Sequence, residues 1–195
     1  MDSYVCWPGQ TAKVAPLGFG CCPMGGHGWG KTEEKQLVDA VSAALDLGVT
    51  FFDTADIYGL GTSESVLGAA LQNKREKAFI ATKFGVRFEN GRSFHDTSIR
   101  WINQALEDSL RRLRTDWIDL YQMHYWDGAT ALEEIEARIS AQVRPQRCSV
   151  PPWLLLWAAD DLPSGRALFS VAADHRPCTA PSSSLRCAPS SPYDR

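Results

Sequence analysis

Between residues 16 and 143 the chain repeats one pattern: a short apolar run, a polar loop rich in glycine, and a longer stretch with apolar residues three and four apart. Leu17 to Cys22 is a small strand punctuated by glycine, followed after the loop Pro23 to Gly30 by a helix. Thr32 is expected to cap that helix, Leu37, Val38, Val41, Ala44 and Leu45 to form its buried face, and Gly48 to stop it. Val49 to Phe52 is the second strand. Thr62 or Ser63 is expected to cap the helix behind it, with Glu64 in the first turn, where an acid suits the positive end of the helix dipole.

The third strand, Ala78 to Thr82, is almost continuously apolar, as strands covered on both faces are. Phe84 to Arg92 reads as a loop. Asp96 or Thr97 should cap a long helix marked by Ile99, Ile102, Leu106, Leu110 and Leu113, with Arg111, Arg112 and Arg114 at its negative end. Trp117 to Met123 is the fourth strand, and Thr130 with Glu133 forms a capping box for a last helix. A short hairpin, Tyr4 to Trp7 against Lys13 to Ala15, precedes the first unit.

Four strand–helix units of about 30 residues each predict a parallel sheet with right-handed crossovers. A closed eight-stranded barrel and an open doubly wound sheet both satisfy that pattern. The polar residues decide for the barrel: Asp53, Lys83 and His124 stand at the ends of three consecutive strands, the rim on which barrel enzymes assemble reactive groups. The expected fold is therefore α/β, an incomplete parallel (β/α)8 TIM barrel of about four βα units followed by an irregular C-terminal tail. A whole barrel takes about 250 residues, so at most half of one is expected in these 195.

From Arg144 onward the composition changes: the tail holds eight of the eleven prolines, only one of the fifteen glycines, and no lysine or glutamate. The chain accordingly divides into a partial barrel over 1–143 and an irregular or disordered tail over 144–195, whose abrupt onset reads as a shift of frame or of splicing. Open sheet edges in half a barrel predict self-association. A net charge of -3, with no basic run, argues against nucleic acid as a partner. With no apolar stretch long enough for a signal peptide or a membrane span, the cytoplasm is the expected compartment. Six cysteines at no metal-binding spacing predict neither a zinc site nor a disulfide framework, and Cys21 and Cys22 read as small strand-end residues.

The stretch FFDTADIYGLGTSESVLGAAL, then ATKFG, then LEDSLRRLRTDWIDLYQMH, in that order, resembles the aldo-keto reductases over about Pro16 to Ile139. The family is one of (β/α)8 barrels that reduce carbonyls with NADPH. The resemblance implies an NAD(P)H-dependent oxidoreductase of aldehydes or ketones, with NADPH as cofactor, NADH as the alternative, and a small carbonyl compound as substrate. It implies a catalytic tetrad of Asp53, Tyr58, Lys83 and His124; no metal is expected, since the sequence holds no H-x-H or carboxylate cluster. Tyr58 would be the proton donor and Lys83 the ammonium beside it. Asp53 would orient the lysine, and His124 would direct the carbonyl oxygen.

A free phenol titrates near pH 10, and an adjacent ammonium is expected to lower that value. Gly20, Cys21 and Asp53 are the expected cofactor contacts, and Tyr58, His124 and Tyr125 the expected substrate contacts. For Tyr125 and Trp126 packing on the rim is an equal alternative, and His27 and His95 are read as structural. Since the family draws most of its cofactor contacts from strands five to eight, and nothing after Ile139 matches them, weak or absent activity is expected. A non-catalytic regulatory or interaction fragment of the same family is the alternative.

Overall fold

The computed structural model describes residues 5–6, 13–14, 17–26, 29–30 and 33–142. Val5–Cys6 (β1) pairs antiparallel with Lys13–Val14 (β2), the hairpin that the sequence predicts. Gly18–Gly20 (β3), Phe51–Asp53 (β4), Phe79–Phe84 (β5) and Leu120–Met123 (β8) form one parallel sheet. Between them run the helices Glu34–Asp46 (α1), Thr62–Ala70 (α2) and Ile99–Leu113 (α3), and Leu132–Gln142 (α4) follows β8.

The order of the sheet, β3-β4-β5-β8, is the order of the chain. A doubly wound sheet would reverse direction at a switch point; this one does not. Successive helices also pack on each other, α1 on α2, α2 on α3 and α3 on α4, as the outer ring of a barrel does. Four βα units of an incomplete (β/α)8 barrel are thus present among the described residues.

β5 is buried along its whole length, which explains the apolar run Phe79 to Ala81 that opens it. On the helix side Phe52, Ile80, Leu67, Val41, Ala44 and Leu113 make a core between β3–β5 and α1–α3. Phe84, Ile102, Ala105, Met123, Ile135 and Ile139 make a second one under α3 and α4. At the N-terminal end of the sheet Arg75 binds Asp119 at 2.6 Å, the Trp117 and Ala78 carbonyls, and the face of the Trp117 ring. That end is held by a structural clamp, and the polar strand ends lie opposite it.

Several local expectations shift. β4 begins at Phe51 and includes Asp53, and β8 begins only at Leu120. The helix caps also differ. Gly61 rather than Thr62 or Ser63 precedes α2, because both hydroxyls turn back, to the Gly59 and Cys21 carbonyls. Ser98, not Asp96 or Thr97, caps α3 by accepting from the Trp101 N–H. The Thr130 hydroxyl donates to Asp127 and caps nothing. Glu33 is the residue before α1, and Thr32 lies outside the described residues, as do His27, residue 143 and the tail 144–195.

The segment expected to be a loop after Lys83 is a hairpin, Val86–Glu89 (β6) paired antiparallel with Arg92–His95 (β7) through Asn90-Gly91. Both turn residues have positive φ, 51° and 78°, as a tight hairpin turn requires.

Candidate active site

β4 and β5 are register neighbours; β4 ends in Asp53, and β5 carries Lys83 one residue before its end, both on the barrel side of the sheet. Lys83 donates to both carboxylate oxygens of Asp53 at 2.8 Å and to the Thr54 carbonyl at 2.8 Å. Those three bonds use all three donors of the ammonium. Its side chain is 8% exposed and that of Asp53 is 37% exposed, so the lysine is held from below and the acid faces outward. A lysine so engaged is a fixed cation, which disfavours the amine chemistry that a Schiff base would need.

Tyr58 arrives on a turn whose closeness to the sheet depends on glycine. A Cβ on Gly59 would lie 2.3 Å from the Gly25 carbonyl oxygen, so only glycine lets the Tyr58 turn seat on the Cys22–Gly25 turn. The Lys83 ammonium sits 5.3 Å from the centre of the Tyr58 ring. His124, whose N–H donates to the Phe84 carbonyl, sets its imidazole edge-on to the same ring, 5.7 Å between centres. Asp53, Tyr58, Lys83 and His124 are therefore brought to one patch from three separate stretches of chain.

The electrostatics depart from expectation in one respect. Burial raises the Tyr58 phenol above its ordinary range, and the Asp53 charge adds to the rise. The ammonium gives all three of its donors to Asp53 and Thr54, so no hydrogen bond from it to the phenol offsets that rise. Tyr58 is thus a neutral hydroxyl across the physiological range. His124 moves the other way: burial, then the Lys83 charge and His95, bring it down to about 4. A neutral imidazole and a neutral phenol stand beside one fixed ammonium–carboxylate pair.

Two further residues stand here: His95, which the sequence reads as structural, and Gln122, which it does not single out. His95, at the end of the hairpin, stacks flat on Tyr125 at 4.7 Å and 7°, and Tyr125 leans on His124 at 4.8 Å. Rings thus run without a break from the hairpin to the phenol. Gln122 is the register partner of Lys83 on β8, and its side-chain oxygen is buried with no partner. The alternation of β8, which puts Gln122 and His124 on one face, was the available signal.

Of the expected cofactor contacts, Gly20 ends β3 beside Asp53, and a Cβ there would meet nothing within 4 Å, leaving open space over the strand ends. Cys21 is fully buried, with its N–H bound to the Asp53 carbonyl, its carbonyl to Ser63, and its thiol near the Phe19 carbonyl. Burial pushes that thiol up to about 12, so Cys21 braces the site rather than offering a free polar group. The open space over Gly20, the outward carboxylate of Asp53 and the orphaned acceptor on Gln122 suit a flat, amide-bearing ring such as nicotinamide.

The model of the Aldo/keto reductase family matches residues 16–143. The chain belongs to the aldo/keto reductase family. It is 41% identical over 124 residues to the aldo-keto reductase YhdN of Bacillus subtilis, covering 63% of this chain and 38% of that one. It is 39% identical over 127 residues to the aldo-keto reductase yakc (NADP(+)) of Schizosaccharomyces pombe, covering 63% and 37%. Among solved structures it is similar to the aldo-keto reductase AKR11C1 of Bacillus halodurans, at a TM-score of 0.59 and 38% identity over 65% of this chain and 41% of that one. The chain thus spans about two fifths of the length of these reductases. Among the described residues no helix is long and apolar enough to cross a membrane.

Proposed function

We propose that this site reduces the carbonyl group of small aldehydes or ketones, with Tyr58 as proton donor, Lys83 and Asp53 as the fixed ion pair beneath it, and His124 as the group that directs the carbonyl oxygen. The observation that carries the reading is the threefold-bonded Lys83 ammonium, 5.3 Å from the ring of Tyr58, with His124 edge-on to the same ring. NADPH is the proposed cofactor, held at its nicotinamide end by Gly20, Asp53 and Gln122; the name of the similar yeast reductase, which includes NADP(+), supports that choice. When bound, the reduced nicotinamide supplies the hydride to the carbonyl carbon.

The protein's own groups manage the oxygen. As the carbon takes up hydride, the oxygen gains alkoxide character, and an alkoxide is a stronger base than a phenolate. The Tyr58 proton therefore moves to it although the phenol's own affinity for that proton is raised. The phenolate that remains stands next to the ammonium, whose charge stabilises it most at that moment. A neutral His124 donates a hydrogen bond to the oxygen without competing for the proton. Tyr125 lines the approach, held upright by the stacked His95.

A second reading, a non-catalytic regulatory or interaction piece of the family with weak or no turnover, is favoured by the four parallel strands described, where a closed barrel has eight. One experiment separates the two. The full chain is titrated with NADPH while tryptophan fluorescence is followed, and cofactor oxidation is then assayed with a broad aldehyde. Quenching followed by turnover that falls about 10²–10⁴-fold in Tyr58→Phe supports the reductase. Absence of quenching at millimolar cofactor supports the non-catalytic reading.

A further inference from the structure

Asp56 lies two residues before Tyr58, at the base of the same turn, and it faces the helices rather than the site. It is 7% exposed, and its Oδ1 is buried without a hydrogen-bond partner. Charged and titratable groups reach it from each element packed around it. Glu64 on α2 is fully buried and already paired: Oε2 accepts from Arg112 Nε of α3 at 2.7 Å, and Oε1 accepts from the Thr82 hydroxyl of β5 at 2.5 Å. Tyr121 on β8 contributes a buried hydroxyl, also without a partner. Lys83 on β5 is committed to Asp53 and Thr54, and Asp108 on α3 is tied to Arg111.

One guanidinium therefore serves two buried carboxyl groups, and Glu64 takes it. An ionised Asp56 would be a desolvated charge with no cation of its own, beside a second carboxylate. The un-ionised acid removes both costs and adds a donor to a layer that holds an orphaned hydroxyl. Main-chain bonds carry the consequence to the site: Asp56 N–H donates to the Lys83 carbonyl, Tyr58 N–H to the Ala55 carbonyl, and Ser63 N–H to the Tyr58 carbonyl.

We propose that Asp56 is a positioning residue for Tyr58: as an un-ionised carboxylic acid it seats the 54–61 turn between the sheet and α2, and ionising it at alkaline pH unseats that turn. The proton donor of the proposed reaction is thereby held by a buried acid that touches no substrate. The inference rests on that reaction for the role of Tyr58, but not for the state of Asp56. Burial, followed by the Glu64 charge, raises the acid to about 8, while Arg112, a hydrogen bond from Ile57 N–H and Lys83 oppose the rise.

The test is an NMR titration of the full chain from pH 5 to pH 9, reading the Asp56 carboxyl carbon and the Tyr58 and Gly59 amides, on the wild type and on Asp56→Asn. The expected result is an Asp56 midpoint near 8, with the two amides shifting on the same midpoint in the wild type and staying flat in the variant. A carboxyl carbon fully ionised at pH 5 overturns the proposal. So does a Tyr58 amide whose alkaline shift persists in Asp56→Asn. Because the carboxyl signal is read on the unmutated chain, a variant that fails to fold leaves the experiment decisive. Since no turnover is read, these outcomes stand whether or not the chain reduces a carbonyl.

Discussion

Arg112→Met isolates the buried ion pair on the helix side of the sheet. Methionine keeps much of the aliphatic stem that lies against Gly61, so what is removed is the guanidinium. Glu64, fully buried, then keeps the hydrogen bond from the Thr82 hydroxyl but loses its cation. Leaving a buried charge uncompensated costs about 3–5 kcal/mol, against a total stability of about 5–15 kcal/mol for an ordinary domain. The converse change is milder. Glu64→Gln keeps an acceptor for Thr82 and leaves an arginine whose side chain is 22% exposed, so water reaches it; about 1–2 kcal/mol is expected. In the double variant neither charge remains, and its cost should fall short of the sum of the singles by on the order of 2 kcal/mol. Urea unfolding followed by tryptophan fluorescence at neutral pH reads all three, provided the m-value is unchanged. Equal costs for the two single variants, or strict additivity in the double, would refute the reasoning, since either would mean that Glu64 does not depend on Arg112.

Two further outcomes follow from the site. His124 should titrate near 4 by NMR, so between about 4 and its ordinary value of 6.5 the unfolded chain binds more protons than the folded one, and stability should rise with pH across that window; a midpoint above 6 would remove the neutral imidazole from the proposed reaction. Gly85→Ala places a Cβ 2.3 Å from the Tyr125 carbonyl oxygen at a φ of 108°, so a loss of about 1–3 kcal/mol from backbone strain alone is expected in urea unfolding. An unchanged midpoint would show that the hairpin is not seated on Tyr125.

What the sequence made legible, it made legible through period. Strands whose apolar run stops at a charged or imidazole residue could be placed, and Asp53, Lys83 and His124 were found by that break alone. The consecutive strand order then followed from polar groups shared on one rim. The hairpin β6–β7 was missed although Asn90-Gly91, between alternating Val86 and Phe88 and the later Phe94, is a strong hairpin signal. Its side chains are mostly exposed, so no hydrophobic contrast marked it. The caps were misplaced by one or two residues because local side chains competed for them. Asp96 Oδ1 accepts from the Ser98 N–H, and Asp127 accepts from Thr97, Ala129 and Thr130; against the effect of its own partial desolvation, those bonds hold it below the usual carboxylate range. Glu64 and Arg112 both suited the dipoles of their helices. Their pairing across 48 positions is a fact of packing that no local rule contains.

The same limit explains the Tyr58 phenol. Both charges near it were visible in the sequence, but which of them governs depends on where three donors point. With all three given to Asp53 and Thr54, the lysine acts on the phenol only as a nearby charge, and burial prevails. β5 then joins this arrangement to the one behind the sheet. Adjacent residues of a strand face opposite sides, so Lys83 enters the site while Thr82 binds Glu64, which binds Arg112. A shift of β5 by one residue would exchange the two, setting a hydroxyl before Asp53 and an ammonium beside Glu64. The buried acid layer on the helix side therefore fixes the register on which the Asp53–Lys83 side depends, and changes at Glu64, Arg112 or Asp56 should reach Tyr58 without touching it.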